Sequence, residues 1–288
     1  MSYSQPTGRC ACGAVRFHVA GELSDVVACH CRTCRRVSGH YWAAAHADRN
    51  ALTVDGGDAL IWWRSSAIAE RGFCRHCGSS LFYSRHGTER VSIAPGALDG
   101  ATGLTIVGHI CCAEAGDYYA IHDSAPQYPG PSTSGVERAP VREAAPVGQR
   151  ENGPREGGCA CGRVRFVCDG EPGPAGACHC RSCRRWSGHF WAAVEVDRVA
   201  FRLTCDNALR WWRSSAAASR GFCGWCGSSL FFDEPARECI EIAPGAFDGR
   251  LGRMVAAHIF CAEAGDYYII DPAARHFAAH ETPDSLDR

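Results

Sequence analysis

Short runs of alternating apolar and polar residues dominate the chain. In AVRFHVAG (14–21) Val15, Phe17 and Val19 share one face, and ALIWWRSS, SLFYS, RVSIAPG and LTIVGHI are brief, rich in β-branched or aromatic residues, and bounded by Gly, Asp or Ser. A period of two with turn residues between the runs is the pattern of half-buried strands. No stretch carries a helical stripe, and SSAIAERG (65–72) or SSAAASRG (214–221) allows one turn of helix at most. The pattern therefore predicts a mainly β protein built of small, twisted antiparallel sheets. In the pairs Trp62–Trp63 and Trp211–Trp212, strand neighbours face oppositely, so one ring of each is expected in the core and one toward the surface.

The pattern occurs twice. CACGAVRF (10–17) returns as CACGRVRF (159–166), and CHCRTCRRVSGHYW (29–42) as CHCRSCRRWSGHFW (178–191). The displacement of 149 residues persists through WWRSSA, RGFCRHCGSSLF against RGFCGWCGSSLF, IAPGALDG against IAPGAFDG, and AEAGDYY, with no insertion or deletion. Such a tandem duplication sets two domains, at 1–128 and 157–288. Between them, 129–156 is rich in Pro, Gly, Arg and Glu and nearly free of large apolar groups, which predicts a flexible linker and two domains that move semi-independently.

Composition narrows the chemistry. The formal net charge is -1 and the pI about 6.9, so there is no basic field to recruit nucleic acid or anionic lipid. No signal-like start and no apolar span of bilayer length is present, which predicts a soluble, cytoplasmic protein. In that setting twenty cysteines favour metal over disulfides. The spacing agrees, because neighbours in C-x-C and C-x-x-C groups are poorly placed to bridge each other.

The cysteines form two kinds of cluster. Cys10 and Cys12 combine with Cys74 and Cys77, each pair followed by a glycine (Gly13, Gly78) that permits a tight turn with N–H groups aimed at sulfur, as in a zinc knuckle. Four thiolates make a closed, structural zinc site, with iron the competing metal, and Cys159, Cys161, Cys223 and Cys226 repeat it. The second kind is Cys29, Cys31 and Cys34, repeated as Cys178, Cys180 and Cys183: three ligands and no fourth, the arrangement of a catalytic zinc. His30 and His179 point away from their flanking cysteines in an extended strand, so packing or hydrogen bonding on the other face is expected of them. Full loading would be four zinc ions per chain.

Around these clusters, Arg35–Arg36 and Arg184–Arg185 are either a solvated pair or cations that lower the thiol pKa values and hold an anionic substrate. Cys112 and Cys261, with His109 and His258, recur and are secondary candidates beside a default of core packing. Cys111, Cys168, Cys205 and Cys239 each occur in one copy alone and read as small buried hydrophobes.

Taken together, C-x-C-G, then C-H-C-x-x-C-R-R-x-S-G, then S-S-x-x-x-R-G-F-C-x-x-C-G-S-x-L resembles the glutathione-dependent formaldehyde-activating enzyme family, which also contains centromere protein V. The resemblance covers nearly all of 8–128 and 157–277. It implies a zinc-bearing assembly of antiparallel sheets similar to that of methionine-R-sulfoxide reductase, a structural zinc on Cys10, Cys12, Cys74 and Cys77, and a catalytic zinc on Cys29, Cys31 and Cys34. It also implies carbon–sulfur lyase activity on an adduct of a small thiol such as glutathione and a small aldehyde. Elementary chemistry points the same way: a thiol entering the vacant position of a Cys₃ zinc loses its proton, which makes the substrate's sulfur the natural fourth ligand. Two other classes stay open, a non-catalytic zinc module that binds a protein partner and a redox enzyme using Cys31 or Cys34 as a reactive thiol.

Overall fold

The computed structural model describes residues 5–132 and 153–280; most of the expected linker lies outside the described residues. In the first copy the strands are β1 (Thr7–Arg9), β2 (Arg16–Val19) and β3 (Val26–Cys29), then helix α1 (Arg32–Ser38), followed by β4 (Trp42–Asp48), β5 (Leu52–Asp55), β6 (Leu60–Ser66), β7 (Ala69–Cys74), β8 (Ser80–Arg85), β9 (Arg90–Ile93) and β10 (Ile106–Ile110). They form a three-stranded antiparallel sheet, β1-β2-β5, and a seven-stranded sheet in the order β10-β3-β4-β9-β8-β7-β6. The expected alternation is present in β2, where Phe17 and Val19 are buried and His18 is not.

The second copy repeats this with β11 (Arg155–Gly158), β12 (Arg165–Cys168), β13 (Ala175–Cys178), α2 (Arg181–Ser187), β14 (Trp191–Asp197), β15 (Phe201–Cys205), β16 (Leu209–Arg213), β17 (Ser219–Cys223), β18 (Ser229–Asp233), β19 (Cys239–Ile242), β20 (Val255–Ile259) and β21 (Arg275–His276). Its sheets are β11-β12-β15 and the eight-stranded β16-β17-β18-β19-β14-β13-β20-β21. The protein is thus mainly β, as expected. No helix among the described residues is long and apolar enough to cross a membrane.

Two local features depart from the sequence reading. The larger sheets are mixed, because β10 runs parallel to β3 and β20 parallel to β13. A parallel pair needs a long crossover, and here most of each copy supplies it, beyond the reach of local alternation. The helix also lies elsewhere than expected: SSAIAERG forms the turn of the β6–β7 hairpin, while the helical residues are RTCRRVS. Seven residues are too few for a stripe, so α1 depends on its ends. Cys31 caps the N-terminus by accepting a hydrogen bond from the Cys34 N–H, and Gly39, at φ 89°, closes the C-terminus by donating to the Arg35 carbonyl.

Semi-independent motion does not fit the arrangement of the copies, which share a seam whose backbone contacts are made twice, once in each direction. The Gly245 N–H donates to the Gly39 carbonyl at 2.9 Å, and the Gly96 N–H to the Gly188 carbonyl at 3.0 Å. Each APG turn therefore docks on the end of the other copy's helix, with no room for a Cβ between Gly245 and the Arg35 carbonyl or between Gly96 and the Arg184 carbonyl. The Phe222 ring fills the space beside Gly78, and the Phe73 ring the space beside Gly227, so each knuckle turn receives an aromatic ring from the opposite copy. Trp186 Nε1 donates to the Cys77 carbonyl at 2.8 Å. The tryptophan pairs follow this layout: Trp62 and Trp211 stack on Phe82 and Phe231 within their own copies, whereas Trp63 packs against the second copy's core.

Candidate functional site

Four sets of cysteines have sulfurs within 4.8 Å of one another: Cys10, Cys12, Cys74 and Cys77; Cys159, Cys161, Cys223 and Cys226; Cys29, Cys31 and Cys34; and Cys178, Cys180 and Cys183. These are the four sets expected from spacing, and each can hold a metal ion.

The closed sets sit where the turn after β1 or β11 meets the turn after β7 or β17. Cys10 and Cys12 sulfurs are 3.5 Å apart and Cys12 and Cys74 3.8 Å; the corresponding separations in the second copy are 3.5 and 3.6 Å. Sulfurs bound about 2.3 Å from one tetrahedral cation stand roughly 3.8 Å apart, so the donors fit. Outer contacts hold them in place. The Val15 N–H donates to Cys10 Sγ at 3.2 Å, and Ser79 Oγ lies 3.2 Å from Cys77 Sγ while accepting the Ala11 N–H at 2.9 Å. Val164 and Ser228 repeat both contacts. Cys10, Cys74 and Cys77 are buried, and Cys12 is exposed.

The open trios sit where β3 or β13 ends and the helix begins. Cys29 is the last residue of β3, Cys31 is the helix cap, and Cys34 points back from the first turn. Cys34 and Cys183 are buried, whereas Cys29, Cys31, Cys178 and Cys180 are half-buried. Cys180 is held at about 2, first by hydrogen bonds from the Cys178 and Cys183 thiols and then by the Cys183 N–H and the Arg220 charge, against burial. Cys31 is likewise lowered. The N-cap sulfur of each trio is thus shifted toward the thiolate form.

Two arginines that the sequence reading passed over complete these sites. Arg71 Nη2 donates to Cys34 Sγ at 3.2 Å and Arg220 Nη2 to Cys183 Sγ at 3.4 Å. Both are buried, with the Arg71 guanidinium 5.6 Å from the Trp42 ring centroid and 5.2 Å from that of Tyr83, and Arg220 between Trp186 and Phe232. Burial opposes their charge, but the sulfurs beside them raise both pKa values. The recurrence of RGF before each second knuckle was the available signal.

The arginine pairs divide. Arg35 Nε donates to the His30 carbonyl at 3.3 Å and Arg184 Nε to the His179 carbonyl at 3.2 Å, so each is anchored between two cysteines of its trio. Arg36 and Arg185 occupy the seam instead. Arg36 pairs with Asp248 and donates to the Gly158 and Cys159 carbonyls at 3.0 and 3.3 Å, and Arg185 pairs with Asp99. Adjacent helical residues do not share a face, so one helix cannot turn both arginines toward the sulfurs.

His30 packs on the far side of its cysteines, as expected. Its Nδ1 lies 2.7 Å from the Tyr119 hydroxyl and its Nε2 2.9 Å from His109 Nδ1, while His109 Nε2 lies 2.9 Å from the Asp123 carboxylate. Because the carboxylate only accepts, His109 carries its proton on Nε2 and accepts from His30 Nε2, and His30 Nδ1 accepts from tyrosine. Burial first, then the neighbouring positive groups, keeps His30 neutral. This chain fixes the backbone between Cys29 and Cys31. The second copy repeats it through Tyr268, His179 and His258, but proline 272 stands where Asp123 would be. His109 and His258 therefore act on the sites only through another residue. Cys261 Sγ donates to the His258 carbonyl at 3.3 Å, also away from the trio.

Cys111 corrects the sequence reading. It is buried, as expected, but it directly follows Ile110, the strand partner of Cys29, and so lies beside the turn that carries the first trio.

Comparison with known proteins places this geometry. A family model described as glutathione-dependent formaldehyde-activating enzyme matches residues 5–114 and 154–263. The chain belongs to that family. The two matched stretches each contain all seven cysteines of a closed set and a trio. Among the relatives, an uncharacterized lyase of Schizosaccharomyces pombe is 26% identical over 113 residues, which is 39% of this chain and 82% of that one. A Rhodobacter sphaeroides protein of known crystal structure is 32% identical, covering 34% of this chain and 91% of its own, with a TM-score of 0.30.

Proposed function

We propose that this member of the formaldehyde-activating family is a zinc-dependent carbon–sulfur lyase acting on a thiol–aldehyde adduct of the S-hydroxymethylglutathione type. In this reading Cys10, Cys12, Cys74 and Cys77, with Cys159, Cys161, Cys223 and Cys226, hold structural zinc, and the trios Cys29, Cys31, Cys34 and Cys178, Cys180, Cys183 hold catalytic zinc. The observation that carries it is the second trio: three sulfurs within 4.8 Å, two of them half-buried, in a stretch the family model covers. The lyase name of the yeast relative supports the reaction class.

Zinc bound at a trio would supply Lewis acidity and a fourth position for the substrate's sulfur as thiolate. The protein's own groups do the rest. The N-cap sulfur is shifted toward thiolate, and Arg71 or Arg220 places a buried positive charge against the third sulfur, offsetting the negative charge that three thiolates and an incoming thiol would accumulate. Arg35 and Arg184 are the arginines left to meet the carboxylates of a substrate such as glutathione. In the forward direction the thiol proton leaves to solvent, the sulfur lone pair forms the bond to the aldehyde carbon, and the carbonyl π pair becomes an alkoxide that takes a proton from solvent. Cleavage reverses each transfer.

The test is exchange spectroscopy by NMR on glutathione and formaldehyde with the zinc-loaded protein. Interconversion of adduct and free thiol should speed up, and the double variant Cys34→Ser, Cys183→Ser should lose the acceleration at unchanged circular dichroism. No acceleration with glutathione, cysteine or 2-mercaptoethanol would leave a zinc module that binds a protein partner as the better account.

A further inference from the structure

The two trios are not chemically equivalent, and the difference lies at one position. β3 and β10 pair in parallel with Ile110 opposite Cys29, and the His30 N–H donates to the Ile110 carbonyl at 3.0 Å. The register puts residue 111 directly beside the turn that carries Cys29 and Cys31. There the backbone takes the left-handed conformation, φ 56° and ψ 35° at Cys111, and Phe260 at the matching place of the second copy has φ 55° and ψ 37°. These are the only non-glycine residues with positive φ among the described residues. Left-handed backbone at residues other than Gly, Asn or Asp is uncommon and marks an over-determined local structure. The turn is pinned in both copies: the Arg32 N–H donates to Glu114 Oε2 at 3.0 Å, and the Arg181 N–H to Glu263 Oε2 at 3.0 Å. With the same backbone, the side chains of Cys111 and Phe260 leave in the same direction.

What they deliver differs. Cys111 is buried and follows Ile110, the strand partner of Cys29, so it carries a thiol at the edge of the trio, although its sulfur does not lie within 4.8 Å of all three. Phe260 brings a ring that cannot ligate. A soft cation with a tetrahedral preference, offered a fourth thiol by the chain itself, binds it as thiolate in preference to water.

We propose that Cys111 is the fourth ligand of the first copy's site, so that the chain itself closes that site and the Cys178, Cys180, Cys183 site alone takes a sulfur from outside. The duplication has then separated roles, with one site closed by the chain itself and its counterpart left open to an outside sulfur. The inference rests on reading the trios as metal sites, but not on the lyase reaction.

The experiment uses the full chain loaded with cobalt(II), whose sulfur-to-metal charge-transfer absorption counts thiolate ligands. Without added thiol, Cys111→Phe, which copies the second site, should lower that absorption relative to wild type, and Phe260→Cys should raise it. On titration with 2-mercaptoethanol, wild type should respond at one site and Cys111→Phe at two, roughly doubling the amplitude, while Phe260→Cys should lose the response. In chelator competition the first site of Cys111→Phe should weaken by more than the roughly tenfold typical of losing even an outer contact. If Cys111→Phe fails to fold, Cys111→Ser and the gain of absorption in Phe260→Cys decide the matter. Unchanged charge transfer and unchanged thiol amplitude in the Cys111 and Phe260 variants would overturn the proposal. Lowered absorption in Cys111→Phe, with no thiol response in any protein, would sustain Cys111 as a ligand and sink the lyase reading instead.

Discussion

Cys74→Ser is expected to unfold the first copy and to lower the stability of the whole chain, whereas Cys34→Ser keeps the fold. Cys74 is fully buried, and its set joins the turn after β1 to the turn after β7 inside the first copy's core. Zinc binding to a structural cysteine set is worth about 10–16 kcal/mol at neutral pH, which matches or exceeds the roughly 5–15 kcal/mol by which a domain is stable. Losing a large part of that term removes the margin. The effect spreads because the knuckle turns are also seam elements, with Phe222 against Gly78 and Trp186 donating to the Cys77 carbonyl. Cys34→Ser differs because the trio lies at one end of β3 and α1, and a serine hydroxyl can still accept from Arg71; a cost of about 1–3 kcal/mol is expected. Thermal melts by circular dichroism compare the two. Cys74→Ser should lack a cooperative transition or begin to melt far below wild type, with both copies affected, while Cys34→Ser should melt within several degrees of wild type. Equal damage from the two would make the trio a structural site.

Sequence spacing carried the metal chemistry but not its setting, and the reasons are physical. Cysteine pairs separated by one or two residues converge on a common point almost regardless of the fold, so all four sets were legible before any strand was placed. Helix α1 was not, because RTCRRVS has no apolar period and owes its form to the Cys31 cap, the Gly39 terminus and the seam. The β3–β10 pairing joins residues on opposite ends of a copy, Cys29 with Ile110, and leaves no local trace, so Cys111 looked unrelated to Cys29. The seam was hidden for a different reason. Its contacts run through SGH and APG, which read as ordinary turns, and the polar linker suggested independence although a linker's composition says nothing about the surfaces it joins. Arg71 and Arg220 illustrate the same limit: SSAIAERG and SSAAASRG carry no alternation that marks them as strand, and only the fold reveals that both arginines face a sulfur.

The seam gives the second large effect. Gly96→Ala and Gly245→Ala add one methyl group each, yet each methyl would overlap a backbone carbonyl of the opposite copy, that of Arg184 or Arg35, which cannot move without shifting a helix. Overpacking of this kind costs about 1–3 kcal/mol per site, and the two changes together should cost about 2–6 kcal/mol because the sites are separate. Gly57→Ala is the control: it lies outside the left-handed region and nothing stands within 4 Å of its would-be Cβ, so its melting temperature should stay within about a degree of wild type. The helix ends that the double variant displaces also carry Arg35 and Arg184, and they follow directly on the trios. Metal release at the trios should therefore accelerate together with the fall in melting temperature, while the closed sets, held by their own turns, keep their metal longer. Chelator-driven release followed by a chromogenic indicator separates the two pools. A double variant that melts like wild type would mean that the copies do not pack through these turns, and one that melts lower but releases both pools together would mean that the seam stabilises the closed sets as much as the trios.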